Sequence, residues 1–310
     1  MEQGDILIYY DTEDFKLNDT VVTIGNFDGL HQGHMKLIES VIEHKKDLGL
    51  TGVVLSFWPH PKEALKGIKI KPIYTLEEKK NLLENAYIDV FINYPFSIDF
   101  SQKEPEDFIR EILIEKLGSR IIVVGEGYRF ARKQKGDIEV LKSFEEKYGY
   151  KTIPIPHCFF NNEKISSSNI RDYIINGYID TADEMLGRCY YVTGNVVYGR
   201  KIGRTLGFPT INLIPHEDKL LPLDGVYASK VYRKDKEYFG VTNVGSNPTV
   251  DGKIKTVETY VLGLNEEIYG EFVKVEFYKM IRKEEKFHSV DALKDQMAMD
   301  TKKAKEYFNI

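Results

Sequence analysis

The chain is poor in cysteine: Cys158 and Cys189 are the only two in 310 residues. That is too few for a disulfide framework, and they lack the spacing of a metal site. No apolar run approaches the roughly 18 residues needed to span a bilayer. The opening stretch, MEQGDILIYYDTED, has acidic residues and no basic region leading into a long apolar segment. No secretory signal is therefore expected, and the cytoplasm is the expected compartment. Excess positive charge is also missing, since the formal net charge is -5 and the pI about 5.9. A general nucleic-acid binder would carry a basic stripe, so neither nucleic acid nor a membrane is an expected partner. There is no internal repeat and no low-complexity linker. What the chain does have is length and apolar content, 42% hydrophobic and 12% aromatic, enough for two packed domains.

Charge and texture divide the chain. Residues 1–185 hold 23 Lys+Arg against 31 Asp+Glu, a balance of -8, whereas residues 186–310 hold 20 against 17, a balance of +3. Before Met185-Leu-Gly-Arg188, apolar runs alternate with amphipathic stretches. The runs are VVTIGN (21–26), GVVLSF (52–57), IDVFIN (88–93), RIIVVGE (120–126) and KTIPIP (151–156). Between them Leu37, Ile38, Val41 and Ile42 repeat at helical spacing, as do Phe108, Ile112 and Leu113. Strands separated by helices imply crossovers and a parallel sheet covered on both faces, with ligands at the carboxyl ends of its strands. After residue 188 the segments are short and alternating, among them RCYYVTGNVV, GVYASKVY, YFGVTNVG, TVETYVL and EFVKVEFY. They predict a small antiparallel barrel or sandwich. A final helix is expected over Ser289–Phe308, capped by Ser289, with Val290, Leu293, Met297, Ala304 and Phe308 near one stripe.

The first apolar run leads into GNFDGLHQGH (25–34). His31 and His34 fall in the turn and first helical turn after a strand, where unpaired N–H groups and the helix dipole favour a phosphate. Three residues apart, both imidazoles reach one ligand. Gly25, Gly29 and Gly33 remove side chains where a nucleotide approaches the backbone, and Asp28 offers a carboxylate to a hydrogen bond or a metal-bound phosphate. Two plainer readings compete: capping or solvated histidines, and half of a zinc site for which no local ligands follow. Farther on, Pro59-His60-Pro61 reads as a rigid turn. Tyr128, Arg129, Phe130, Arg132, Lys133 and Lys135 mix rings and cations in a loop suited to phosphate and a flat ring, or simply to solvent. Ser166, Ser167 and Ser168 are N-cap types, with Arg171 one turn beyond Ser168.

In the second half, Gly199, Gly203 and Gly207 recur at every fourth position, a pattern able to expose backbone N–H groups to phosphates but not a Walker A loop. In FPTIN (208–212), Thr210 and Asn212 face the same way if the segment is extended. Their oxygens suit Mg2+, which shares its coordination with substrate phosphates. Glu258, taken alone, reads as a solvent-facing strand glutamate.

Together these motifs resemble a known family. GNFDGLHQGH, SFWPHP (56–61), VVGEGYRFARKQKGD (123–137) and ISSSNIRDYI (165–174) follow in order the pattern of the nucleotidylyltransferase superfamily. More narrowly, they resemble the FAD synthetase module of bifunctional riboflavin kinase/FAD synthetases. FPTIN resembles the PTAN motif of riboflavin kinases, with Ile211 for Ala, and GVYA (225–228), GVTNVGSNPT (240–249) and TVETYVL (256–262) continue that match. Trp58 stands where Glu is usual, Gly127 where Asp is, Ser168 where Thr is frequent, Tyr260 where His is, and Gly263-Leu264 where Asp-Phe is.

The resemblance implies an α/β plus β chain. Residues 1–187 would form a doubly wound Rossmann-like FMN adenylyltransferase domain. Residues 188–310 would form a riboflavin kinase domain, a small antiparallel barrel with a terminal helix. It further implies that riboflavin and ATP give FMN, then FMN and a second ATP give FAD and pyrophosphate, with Mg2+ as cofactor. His31, His34 and Arg171 would stabilise the reacting phosphates, with Gly25, Phe27, Asp28, Gly33 and Ser166–Ser168 around the nucleotide and His60, Arg129 and Phe130 around the flavin. On the kinase side, Gly199, Gly203, Gly207, Thr210 and Asn212 would hold ATP and metal. Glu258 would accept the proton of the riboflavin 5'-hydroxyl as it attacks the γ-phosphate. Two other readings stay open: an enzyme with one working site, the kinase, and a flavin-binding regulator. Oligomeric state is not written in the sequence.

Overall fold

The computed structural model describes residues 6–199, 202–249 and 252–310. Met1–Asp5 of the opening stretch and Arg200 and Lys201 of the glycine-rich segment lie outside the described residues. The chain forms two compact units, Met1–Ser166 and Ser167–Ile310.

The first unit is built on a six-stranded sheet. Its strands are β1 (Leu7–Tyr10), β2 (Thr20–Ile24), β3 (Thr51–Trp58), β4 (Val90–Pro95), β5 (Ser119–Gly125) and β6 (Lys151–Ile155), in the order β1-β4-β3-β2-β5-β6. All pair in parallel. Alternation along each strand feeds two cores. Val22, Ile24, Val53, Leu55, Ile122 and Val124 pack on one face with Phe108, Ile112 and Leu113. Val21, Val54, Phe91 and Val123 pack on the other with Leu37, Ile38 and Val41. The five expected strands are present, and the sheet gains β1, a four-residue edge strand. The helix expected around Phe108–Leu113 is a short α-turn, Pro105–Phe108, continued as a π-helix over Ile109–Lys116. Strand order reverses between β2 and β5, so the crevice at their carboxyl ends is where a doubly wound sheet receives ligands. The signature turn follows β2, and Gly127-Tyr128-Arg129-Phe130 follows β5.

A short hairpin, β7 (Phe159–Phe160) with β8 (Glu163–Lys164), completes the first unit. The second unit is a closed antiparallel barrel. Its strands are β9 (Tyr191–Val197), β10 (Thr210–Leu213), β11 (Gly225–Arg233), β12 (Lys236–Thr249), β13 (Gly252–Val261) and β14 (Phe272–Lys283), ordered β10-β13-β12-β11-β14-β9. Closure removes the sheet edges. Buried Thr242 joins Ser229 at 2.7 Å and Thr259 at 2.8 Å, a hydroxyl ladder inside an otherwise apolar wall. The terminal helix runs Val290–Phe308, and Ser289 caps it by accepting a hydrogen bond from the Ala292 N–H at 3.1 Å. Val290 is exposed, off the stripe expected to include it. Farther along the helix Arg282 donates to both oxygens of buried Asp300 at 3.1 and 2.9 Å, fastening helix to barrel.

Helices Ser167–Ile175 and Ile179–Leu186 precede the barrel and belong to its unit. Asp183 accepts the Tyr190 N–H at 2.6 Å. Burial, aided by Glu276, Asp180 and Glu184 nearby, pushes its carboxyl up from 3.8 to about 8. The folded state thus binds a proton that the unfolded chain releases, so the stability Asp183 contributes is full below about 3.8 and lost as pH rises through about 8. Asp183→Asn keeps an acceptor for Tyr190 without a charge to bury. The variant is expected to unfold like the parent at pH 4 and to gain ~1–3 kcal/mol at pH 9, a discounted figure for a partly accessible group. Denaturant titrations at both pH values check this; an equal gain at both would refute the charge argument.

Candidate active sites

The signature turn is shaped against the preference of its residues. Phe27 (φ 46°), Gly29 (φ 81°) and Leu30 (φ 42°) all take left-handed backbone, which side chains other than glycine rarely adopt. Complete burial of Phe27 and near-complete burial of Leu30 hold it. The turn delivers His31 as N-cap of the helix Gln32–Leu48, where its Nδ1 accepts the His34 N–H at 3.3 Å. Acceptance at Nδ1 assigns the ring proton to Nε2, which becomes a donor. The two imidazoles stack with centroids 3.7 Å apart and planes 15° from parallel, and the Phe27 ring lies 5.1 Å from that of His34. Gly33 leaves room for this stack, since a Cβ there would lie 3.2 Å from the His31 ring, a tight contact. Buried Asp28 accepts the Ile73 N–H at 2.8 Å, tying the turn to the chain just ahead of the helix Leu76–Asn85.

A cavity of about 770 Å³ opens beside the turn, and it brings Gly25, Asn26, His60, Tyr128, Arg129 and Phe130 together. His60 caps the helix Pro61–Lys66 through Nδ1, which accepts the Lys62 N–H at 3.1 Å, and its Nε2 lies 3.1 Å from the Asn26 amide. Phe130 is buried and stacks with Tyr128, centroids 5.5 Å apart; burial also raises the Tyr128 hydroxyl well above its usual pKa. Arg129 stays half exposed, 3.8 Å from Asp137. At Gly127 a Cβ would lie 3.0 Å from the His157 ring, so His157 occupies the room an aspartate side chain would need. Ser167 and Ser168 open the helix that carries Arg171, at the start of the second unit, and Ser166 closes the first.

In the barrel, Thr210 and Asn212 lie on β10 and their register partners on β13 are Tyr260 and Glu258. Across the other edge of β13, Glu258 faces Asn243 and Tyr260 faces Val241. Glu258 therefore stands in a row between two neutral amides. One cavity of about 280 Å³ is lined by Thr210, Asn243, Glu258, Tyr260, Arg282 and Met297. A second, of about 290 Å³, is lined by Gly199, Thr210, Asn212, Glu267 and Tyr269, so the two share Thr210. The glycines serve packing as well as exposure. A Cβ on Gly199 would clash with the Asn212 amide at 2.3 Å, one on Gly203 with the Phe208 carbonyl at 2.4 Å, and Gly207 takes φ 86°. Tyr260 packs edge-on against Phe208, centroids 5.2 Å apart, and Gly263 turns with φ 78°.

Two neighbours of these sites escape a reading of the sequence. Asn243 is placed by hairpin register alone. Lys79, on the helix Leu76–Asn85, donates to the Asn26 carbonyl at 3.1 Å. Its signal is a lysine four residues before fully buried Leu83, on a core-facing side. Among the described residues no cluster of three or more His, Cys, Asp or Glu side chains could hold a metal ion.

Both halves match family models: FAD synthetase over residues 14–169 and riboflavin kinase over residues 186–308. The bifunctional riboflavin kinase/FMN adenylyltransferase of Haemophilus influenzae is 35% identical over 296 residues, covering 94% of this chain and 96% of its own. The chain belongs to this bifunctional family. The Escherichia coli K12 member of riboflavin kinase/FMN adenylyltransferases is 33% identical over 292 residues, 94% of this chain and 93% of its own. A solved structure from Streptococcus pneumoniae, described as a macrolide-efflux protein, is 31% identical. It matches with a TM-score of 0.87 over 96% of this chain and 98% of that one. No helix among the described residues of this family member is long and apolar enough to cross a membrane. As a riboflavin kinase and FMN adenylyltransferase, the enzyme converts riboflavin to FMN and FMN to FAD with ATP.

Proposed function

We propose that residues 1–187 adenylylate FMN and residues 188–310 phosphorylate riboflavin. On this reading the enzyme works in the cytoplasm on small molecules, without nucleic acid or membrane. The observation that carries the kinase assignment is the row Asn212–Glu258–Asn243, set where two cavities share Thr210. Riboflavin enters the cavity beside Glu258 and ATP the one beside Asn212. Glu258 takes the proton of the 5'-hydroxyl as its oxygen bonds to the γ-phosphorus, and the bond to the β-phosphate oxygen breaks to release ADP. Thr210 and Asn212 fit Mg2+, being neutral oxygen donors on one strand face with the Asn212 amide given room by Gly199. When bound there with ATP, the metal offsets phosphate charge. Gly199, Gly203 and Gly207 shape the loop over the triphosphate.

In the first domain no protein nucleophile is required. An FMN phosphate oxygen attacks the α-phosphorus of ATP and pyrophosphate leaves, so the protein aligns two anions and relieves their repulsion. His31, through Nε2–H, and His34 bear that charge, and the family resemblance alone assigns Arg171 the same role. Gly25, Phe27, Asp28 and Gly33 form the nucleotide site, to which the resemblance adds Ser166–Ser168, and His60, Arg129 and Phe130 wall the flavin.

A product time course with riboflavin, ATP and Mg2+, resolving riboflavin, FMN and FAD by chromatography, tests the assignment. FMN first and FAD second is the expected order. FMN accumulating without FAD, even when FMN is supplied, would overturn the adenylylation assignment.

A further inference from the structure

The turn that presents His31 is held from behind by an amine. Asn26, its second residue, offers one carbonyl that accepts both the Ser56 hydroxyl at 3.0 Å and Lys79 Nζ at 3.1 Å. Through its side chain the same Asn26 lies against His60, at the wall of the large cavity. Lys79 is carried by a helix with a complete capping box, Thr75 with Glu78, so its backbone is firmly set. Its ammonium lies 5.9 Å from the centre of the buried Phe91 ring.

This arrangement is costly, which is its main interest. Lys79 is half-buried as a residue, yet loss of water around its amine lowers its pKa, with nearby Asp28 partly offsetting that shift. A serine already serves the Asn26 carbonyl, and an apolar residue of similar length would pack against Phe91 without charge to desolvate. The cation, however, stands behind backbone strained at two left-handed non-glycine residues, Phe27 and Leu30. Donation to the Asn26 carbonyl pins the strand-side start of that turn, while Asp28 pins its middle through Ile73.

We infer that Lys79 is a positioning residue for adenylyl transfer: by clamping the Asn26 carbonyl it holds the signature turn in the shape that sets His31 and His34 against the reacting phosphates. The inference rests on the reading that those histidines serve adenylyl transfer. Lys79 does not line the cavity, so it acts through the turn and not on substrate.

The test uses the full chain with Lys79→Met and Lys79→Arg, and follows three quantities. These are kcat and KM for FAD formation from supplied FMN, the rate of FMN formation from riboflavin, and the unfolding temperature. Lys79→Met is expected to lower kcat for FAD formation about 10- to 100-fold with KM changed less than about threefold, the scale of a sub-ångström misplacement of reacting groups. FMN formation should be unchanged and the unfolding temperature equal or higher. Lys79→Arg should recover most of the lost kcat. An unchanged kcat in Lys79→Met would overturn the inference. So would a loss that comes with a lower unfolding temperature and no recovery in Lys79→Arg, which would make Lys79 a fold residue only. His31→Ala run alongside separates the two levels: if it keeps full FAD formation, the reading of the histidines fails, whatever Lys79 does.

Discussion

Glu258→Gln is expected to abolish FMN formation from riboflavin, by ~10²- to 10⁴-fold as for loss of a general base, and to leave FAD formation from supplied FMN untouched. Glutamine matches glutamate in size, and the row Asn212–Glu258–Asn243 is set by backbone pairing that the substitution does not alter. What is lost is the ability to accept a proton. The register neighbours of Glu258 on both sides, Asn212 and Asn243, are neutral amides that the substitution leaves in place. The measurement is a pair of assays on one preparation, riboflavin to FMN and FMN to FAD. Equal loss of both would contradict two separate sites. A Glu258→Gln protein that still phosphorylates riboflavin would remove Glu258 from the chemistry and leave only its place in the cavity wall.

Much of this architecture can be read without coordinates, because the strongest signals are local. Continuous apolar runs such as RIIVVGE read as buried parallel strands, and β5 feeds both cores of the sheet. Alternation in TVETYVL reads equally well: Val257, Thr259 and Val261 turn into the barrel, and Glu258 and Tyr260 line the cavity outside. What stays hidden depends on distant partners. The edge strand β1 has four residues whose pairing with β4 no local period announces. The π-helical Ile109–Lys116 keeps the apolar spacing of an α-helix and differs only in its hydrogen bonds. Texture changes near Met185–Arg188, where strand alternation begins. The compact units divide after Ser166, because the helix Ile179–Leu186 is tied to the barrel by the Lys279–Asp180 ion pair and by Tyr190 on Asp183.

The glycine-rich segment carries the same lesson for function. Spacing of four suggests a loop that bares its N–H groups, yet Gly199 and Gly203 are also demanded by the Asn212 amide and the Phe208 carbonyl. A glycine motif read from sequence cannot separate room for a ligand from room for a neighbour. Two of the departures from the family pattern, Gly127 and Tyr260, resolve in like manner. His157 fills the space beside Gly127, and Phe208 supports Tyr260 edge-on, so each substitution comes with a neighbour fitted to it.

His31→Ala is expected to stop FAD formation, by ~10²- to 10³-fold as for loss of one donor to developing charge, while FMN formation continues. The substitution removes two things at once. His31 caps the helix Gln32–Leu48 through Nδ1, and loss of an N-cap costs ~1 kcal/mol. Its Nε2–H is the donor aimed at phosphate in the proposed reaction. His31→Asn separates them, since asparagine is a strong N-cap residue but carries no imidazole. If donation to phosphate is what matters, His31→Asn unfolds like the parent and is as slow as His31→Ala in making FAD. If capping is what matters, His31→Asn recovers both stability and rate. Because the two imidazoles stack at 3.7 Å, His34→Ala should disturb His31 as well. The double variant should then lose less than the product of the single losses, as groups acting as one unit do. Additive losses would mean that the stacked pair is two independent donors, and the turn that brings them together would need a different explanation.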